Sequence, residues 1–95
     1  MNREDVMAAL KPIMRDLENL GVRDLRVFGS VARGEADQDS DVDFLVDLED
    51  ADYSRYCRVL ERLESAIGPR VDLVMFDALK PDRRDRIVSE AVRVA

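Results

Sequence analysis

Phe28-Gly29-Ser30-Val31-Ala32-Arg33-Gly34 and Ser40-Asp41-Val42-Asp43-Phe44-Leu45-Val46 are separated by five polar or small residues. The first segment follows a short apolar run, Leu25 to Phe28, read as a strand that ends at Gly29-Ser30. Val31 to Glu35 fits a single helical turn. Val42 to Leu48 alternates apolar and acidic residues, the period-two pattern of a strand with two unlike faces. Residues two apart in a strand share a face, so Asp41 and Asp43 project together. Adjacent carboxylates repel, and a hard cation such as magnesium makes the pair favourable, holding one or two carboxylates along with substrate phosphates.

The corner between the strands has what a triphosphate needs. Gly29 allows close backbone approach. Ser30 offers a hydroxyl and an amide at the start of a helical turn, where amides face an anion. Arg33 can add a charge-assisted bond to phosphate oxygen. The bland alternative is an ordinary strand-to-turn corner with Arg33 in a surface ion pair.

Working outward, Val71 to Phe76 is dense in apolar residues and is expected to be a central strand. Asp72 lies near its start and is costly there unless paired or metal-bound. If the first two strands run antiparallel and the second and third run parallel, one mixed sheet brings Gly29, Ser30, Asp41, Asp43 and Asp72 to one edge. The helix between Asp52 and Ile67 supplies the crossover that a parallel pair requires. Its stripe is Tyr53, Cys57, Leu60, Leu63 and Ile67, stopping at Gly68-Pro69. Tyr53 and Tyr56 are read as helix-packing residues rather than self-modification sites. Asp47, Glu49, Asp50 and Asp52 read as a solvated loop and helix start.

Upstream, Val6, Leu10, Ile13, Leu17 and Leu20 recur at helical spacing. Asn2 and Asp5 suit a capping box, Pro12 should kink or divide the helix, and Gly21 should stop it. Downstream, Pro81 suits the first turn of a last helix through Ile87, Val88 and Ala91. Val92 to Ala95 either finishes that helix or runs extended. The fold class is therefore α/β, a small mixed sheet with flanking helices.

Composition narrows the chemistry. At 95 residues the chain is expected to form one domain, 1–95. Apolar residues make up 46% and charged residues 38%. Histidine is absent and Cys57 is the sole cysteine, so Ser-His-Asp and Cys-His catalysis, the usual zinc sites and an internal disulfide all fall away. Carboxylates must carry any acid–base or metal chemistry. The net charge of −6 opposes strong nucleic-acid binding. No apolar run is long enough to span a bilayer and no signal peptide opens the chain, so a cytoplasmic protein without membrane contact is expected.

Gly-Ser-x-Ala-Arg-Gly, five residues, then Ser-Asp-x-Asp should arise by chance on the order of once in a billion starting positions. With Val71-Asp72-Leu73-Val74, these segments resemble the nucleotidyltransferase superfamily that includes DNA polymerase beta. They are most similar to its minimal members, the MNT proteins of prokaryotic HEPN–MNT toxin–antitoxin pairs. Ile87-Val88-Ser89-Glu90-Ala91-Val92 looks like the family's closing helix. The resemblance implies the polymerase beta-like nucleotidyltransferase fold, with Gly29 and Ser30 on the β and γ phosphates of ATP and with Arg33 and Ser40 assisting. It implies that Asp41, Asp43 and Asp72 hold two Mg2+ ions, Asp72 also positioning or deprotonating the acceptor hydroxyl. It further implies transfer of AMP to a tyrosine of a HEPN toxin, the chain acting as antitoxin; the acidic surface suits a basic partner. Two alternatives stand beside it: neutralisation by binding alone, and transfer to a small molecule.

Overall fold

The computed structural model describes residues 1–37 and 39–94. Asn2 opens the first helix, α1 (Arg3–Leu10), through the expected capping box: its side chain accepts from the Asp5 amide, and Asp5 accepts from the Asn2 amide. Pro12 ends that helix in a 3-10 turn (Lys11–Ile13), and α2 (Met14–Asn19) resumes beyond it. Strand β1 (Val22–Phe28) leads into a one-turn helix, α3 (Gly29–Arg33). Then come β2 (Val42–Leu48), α4 (Tyr53–Ile67), β3 (Val71–Met75), a 3-10 turn (Phe76–Ala78), α5 (Pro81–Glu90) and β4 (Val92–Arg93).

The four strands form one sheet in the order β3-β2-β1-β4. As expected, β1 and β2 pair antiparallel and β2 and β3 pair parallel. The expected position of Val71 to Phe76 is corrected: β3 is an edge strand, and β1 and β2 are central. Its apolar density has another cause. Leu73 packs into the main core, while Leu73, Val74 and Met75 line an apolar groove shared with Tyr56 of α4. The open alternative at the C-terminus resolves to a strand, with β4 antiparallel to β1; Ala95 lies outside the described residues.

One face of the sheet carries the core. Leu25 and Val27 of β1, Phe44, Val46 and Leu48 of β2, and Leu73 of β3 form one cluster with Val6, Leu10, Leu17, Val59 and Leu63 from α1, α2 and α4. The alternation that buries Phe44 sends Asp43, Leu45 and Asp47 to the opposite face. There α5 and the turn before it cover Leu45, leaving a cavity of about 280 Å³ lined by Asp24, Arg26, Leu45, Asp47, Phe76 and Val88. The helical stripe of α4 is rotated from expectation. Val59 and Leu63 are buried, but Tyr53 is 81% exposed and packs nothing into the core. Tyr56 is partly buried and donates to the Leu73 carbonyl at 2.6 Å.

Candidate active site

Strand register brings the acidic positions together. Phe28 pairs with Asp43 across β1 and β2, and Asp43 pairs with Asp72 across β2 and β3. The end of β1 and the starts of β2 and β3 thus lie side by side at one sheet edge. Asp41 precedes β2 by one residue and is exposed; Asp43 is half-buried, and Asp72 is exposed on the edge strand. An aspartate near the start of β3 meets solvent, so the cost expected of burying it does not arise.

Gly29 makes this packing possible. Its φ is +70°, and a Cβ there would collide with the Asp43 carboxylate. Glycine is therefore required twice, for the turn and for the close approach. Ser30 follows in the first turn of α3.

Like charge shapes the electrostatics. Burial pushes the Asp43 carboxyl above the ordinary carboxylate range, and the charges of Asp72 and Asp41 push it further, with Arg33 offsetting part of the rise. Among the described residues no group of three or more acidic or cysteine side chains is gathered closely enough to hold a metal ion. The donor set nonetheless suits magnesium. Its oxygens are hard, its mutual repulsion is relieved by a cation, and its open side leaves coordination positions for water and phosphate.

Arg33 and Ser40 both make side-chain hydrogen bonds within the fold. The Arg33 guanidinium donates from Nε to Glu35 at 3.0 Å and from Nη1 to Glu90 at 2.8 Å. These carboxylates, Glu35 foremost, hold it above its ordinary pKa. The Ser40 hydroxyl donates to Asp37 Oδ1 and accepts from the Asp37 amide, both at 3.1 Å, shaping the loop before β2. Glu90 is a residue of this site that sequence reasoning misses. Its Oε1 also accepts from the Gly29 amide at 2.7 Å, across 61 residues of chain. Its only signal was its place as the acidic residue of the closing segment Ile87 to Val92.

The sequence matches the nucleotidyltransferase domain family over residues 7–94. The chain belongs to that family. Among its relatives, the protein adenylyltransferase MntA of Thermococcus cleftensis is 44% identical over 92 residues, 96% of this chain and 91% of that protein. Among solved structures, a candidate minimal nucleotidyltransferase superposes with a TM-score of 0.84 at 38% identity, covering 97% of this chain and 95% of that one. A complex of tri-AMPylated Shewanella oneidensis HEPN toxin with an MNT antitoxin matches with a TM-score of 0.66 at 19% identity, over 95% of this chain and 71% of that one. At that identity the likeness bears on the fold. The mixed sheet and its flanking helices are thus those of a nucleotidyltransferase. No helix among the described residues is long and apolar enough to cross a membrane.

Proposed function

We propose that this nucleotidyltransferase domain, residues 1–95 acting as one unit, transfers AMP from ATP to a tyrosine of a HEPN-type partner protein and so serves as an antitoxin. The observation that carries the reading is the Asp43–Asp72 register pair beside the Gly29-Ser30 corner. The activity named for the Thermococcus cleftensis relative and the HEPN toxin bound to the Shewanella oneidensis fold relative support the acceptor. The net charge of −6 favours a basic partner.

In this reading Asp41, Asp43 and Asp72 hold two Mg2+ ions. Bound there, they would supply charge neutralisation at the phosphates and a lowered pKa for the attacking hydroxyl. Ser30 binds phosphate oxygen through its hydroxyl and amide. Asp72, exposed at the sheet edge, orients the acceptor hydroxyl and takes its hydrogen bond. The tyrosine oxygen bonds to the α-phosphorus, the bond from that phosphorus to pyrophosphate breaks, and the phenolic proton passes to Asp72 or water. Rate acceleration comes mostly from alignment and charge complementarity.

The test is mass spectrometry of a HEPN partner after incubation with the protein, ATP and magnesium. AMP adducts on a tyrosine that vanish with Asp41→Asn/Asp43→Asn support the reading. An unmodified partner that is nonetheless neutralised, by wild type and double variant alike, replaces it with neutralisation by contact.

A further inference from the structure

The structure assigns Glu90 as a positioning residue for the nucleotide site, one that fastens the glycine-serine corner from the far end of the chain. This rests on the function proposed above. Glu90 is the last residue of α5, and β4 starts two residues on. Val92 pairs with Val27 and Arg93 with Arg26 in antiparallel register, so moving back along β4 moves forward along β1. The same register carries Glu90 to Gly29, where the contact is found. Val94 extends the pairing by donating to the Leu25 carbonyl. The carboxylate is thus delivered by strand pairing rather than by a free side chain reaching out.

One oxygen, Oε1, holds both ends of α3: the Gly29 amide at its first residue and the Arg33 guanidinium at its last. On its other side, the Gly29 backbone lies against the Asp43 carboxylate. Gly29 is therefore clamped between Glu90 and Asp43. Neither bond involves Ser30, which is left to the phosphates. Arg33 offsets the added negative charge, which also reaches Asp43. Charge-assisted bonds of this kind are about twice as strong as neutral ones. They hold a corner at which Gly29 has a φ of +70°.

A gate would behave differently. If Glu90 merely occupied the place of a phosphate, its removal would tighten ATP binding. If it only stabilised the fold, its removal would lower the melting temperature and spare the kinetics.

The experiment compares wild type, Glu90→Gln and Glu90→Ala in the full chain. Glutamine keeps the acceptor oxygen but loses the charge, so it should rescue in part. The Glu90→Ala variant should lose about 10- to 100-fold in kcat for AMP transfer, the scale of a small misplacement of reacting groups. Its KM for ATP and its dissociation constant for magnesium AMP-PNP should both rise, by about 3- to 10-fold. Glu90→Gln keeps an acceptor oxygen but not the charge, so it should recover each value in part and lie between wild type and Glu90→Ala. The Gly29 amide proton, followed by NMR, should be protected from exchange in wild type and in Glu90→Gln. An unchanged kcat, a lower KM, a glutamine variant as impaired as alanine, or an unprotected Gly29 amide in wild type overturns the assignment. The amide and AMP-PNP measurements need no acceptor, so they decide it even if no partner is modified. Should Glu90→Ala not fold, Glu90→Asp, which withdraws the carboxylate by one methylene, takes its place with the same expected losses.

Discussion

Asp43 and Asp72 face each other in parallel register on neighbouring strands, one half-buried and one exposed. Two carboxylates are not placed side by side at a sheet edge for stability. Their repulsion is a cost that bound cations would relieve in the function proposed, and it can be measured in the protein alone.

The first prediction follows from Asp43. Burial and like charge raise its pKa in the folded state, so the folded protein holds that proton more tightly than the unfolded chain. Stability should therefore fall as pH rises from the ordinary carboxylate value through the raised one. Asp43→Asn removes the effect. Its melting temperature should exceed that of wild type at neutral pH in the absence of metal, with the gap closing below about pH 4. Melting curves across that range check it.

A second prediction concerns Gly29. Alanine there must adopt a left-handed φ and drive its Cβ into the Asp43 carboxylate. Gly29→Ala should cost about 1–3 kcal/mol in denaturant unfolding and abolish transfer. In an Asp43→Ala background part of the cost should disappear, because the clash is gone while the backbone strain stays. A double-mutant cycle showing no coupling would contradict the packing described.

The third prediction tests the core that holds the site in place. Phe44 is 0% exposed and lies between Asp43 and Leu45 on β2. Phe44→Ala should cost about 3–5 kcal/mol, a large share of the stability of a small domain. Equilibrium unfolding in urea measures it.

Much of this arrangement was legible along the chain. Local signals fixed the capping box at Asn2, the break at Pro12, the alternation over Val42 to Leu48 and the helix start at Pro81, because each depends on residues close in sequence. Strand directions followed from the need to bring Asp43 to both Gly29 and Asp72. The place of β3 was not legible, because apolar density cannot distinguish a strand covered by neighbours from an edge strand packed against a helix and a groove. Tyr53 misled for a related reason. It sits at a helical spacing from Cys57 and Leu60, yet it is 81% exposed while Tyr56 of the same turn reaches the Leu73 carbonyl. Glu90 could not have been found locally, since its meaning comes from a two-residue strand paired with a distant one.

A fourth prediction joins metal to stability. Magnesium with AMP-PNP, each at about 100 times its dissociation constant, should stabilise wild type by about 2.7 kcal/mol per site. For a domain of this size that raises the melting temperature by roughly 10–20 °C. Asp41→Asn/Asp43→Asn should show little of the rise. Scanning fluorimetry with and without the pair of ligands reads the difference.

In the function proposed, Asp41, Asp43 and Asp72 converge on divalent ions beneath a triphosphate held by Ser30. Crystals grown with manganese in place of magnesium and a non-hydrolysable ATP analogue test it most directly, through anomalous scattering. Peaks bounded by the three carboxylates, with phosphate oxygen against Ser30, are the predicted result. Metal bound elsewhere, or a nucleotide whose phosphates avoid that sheet edge, would contradict it.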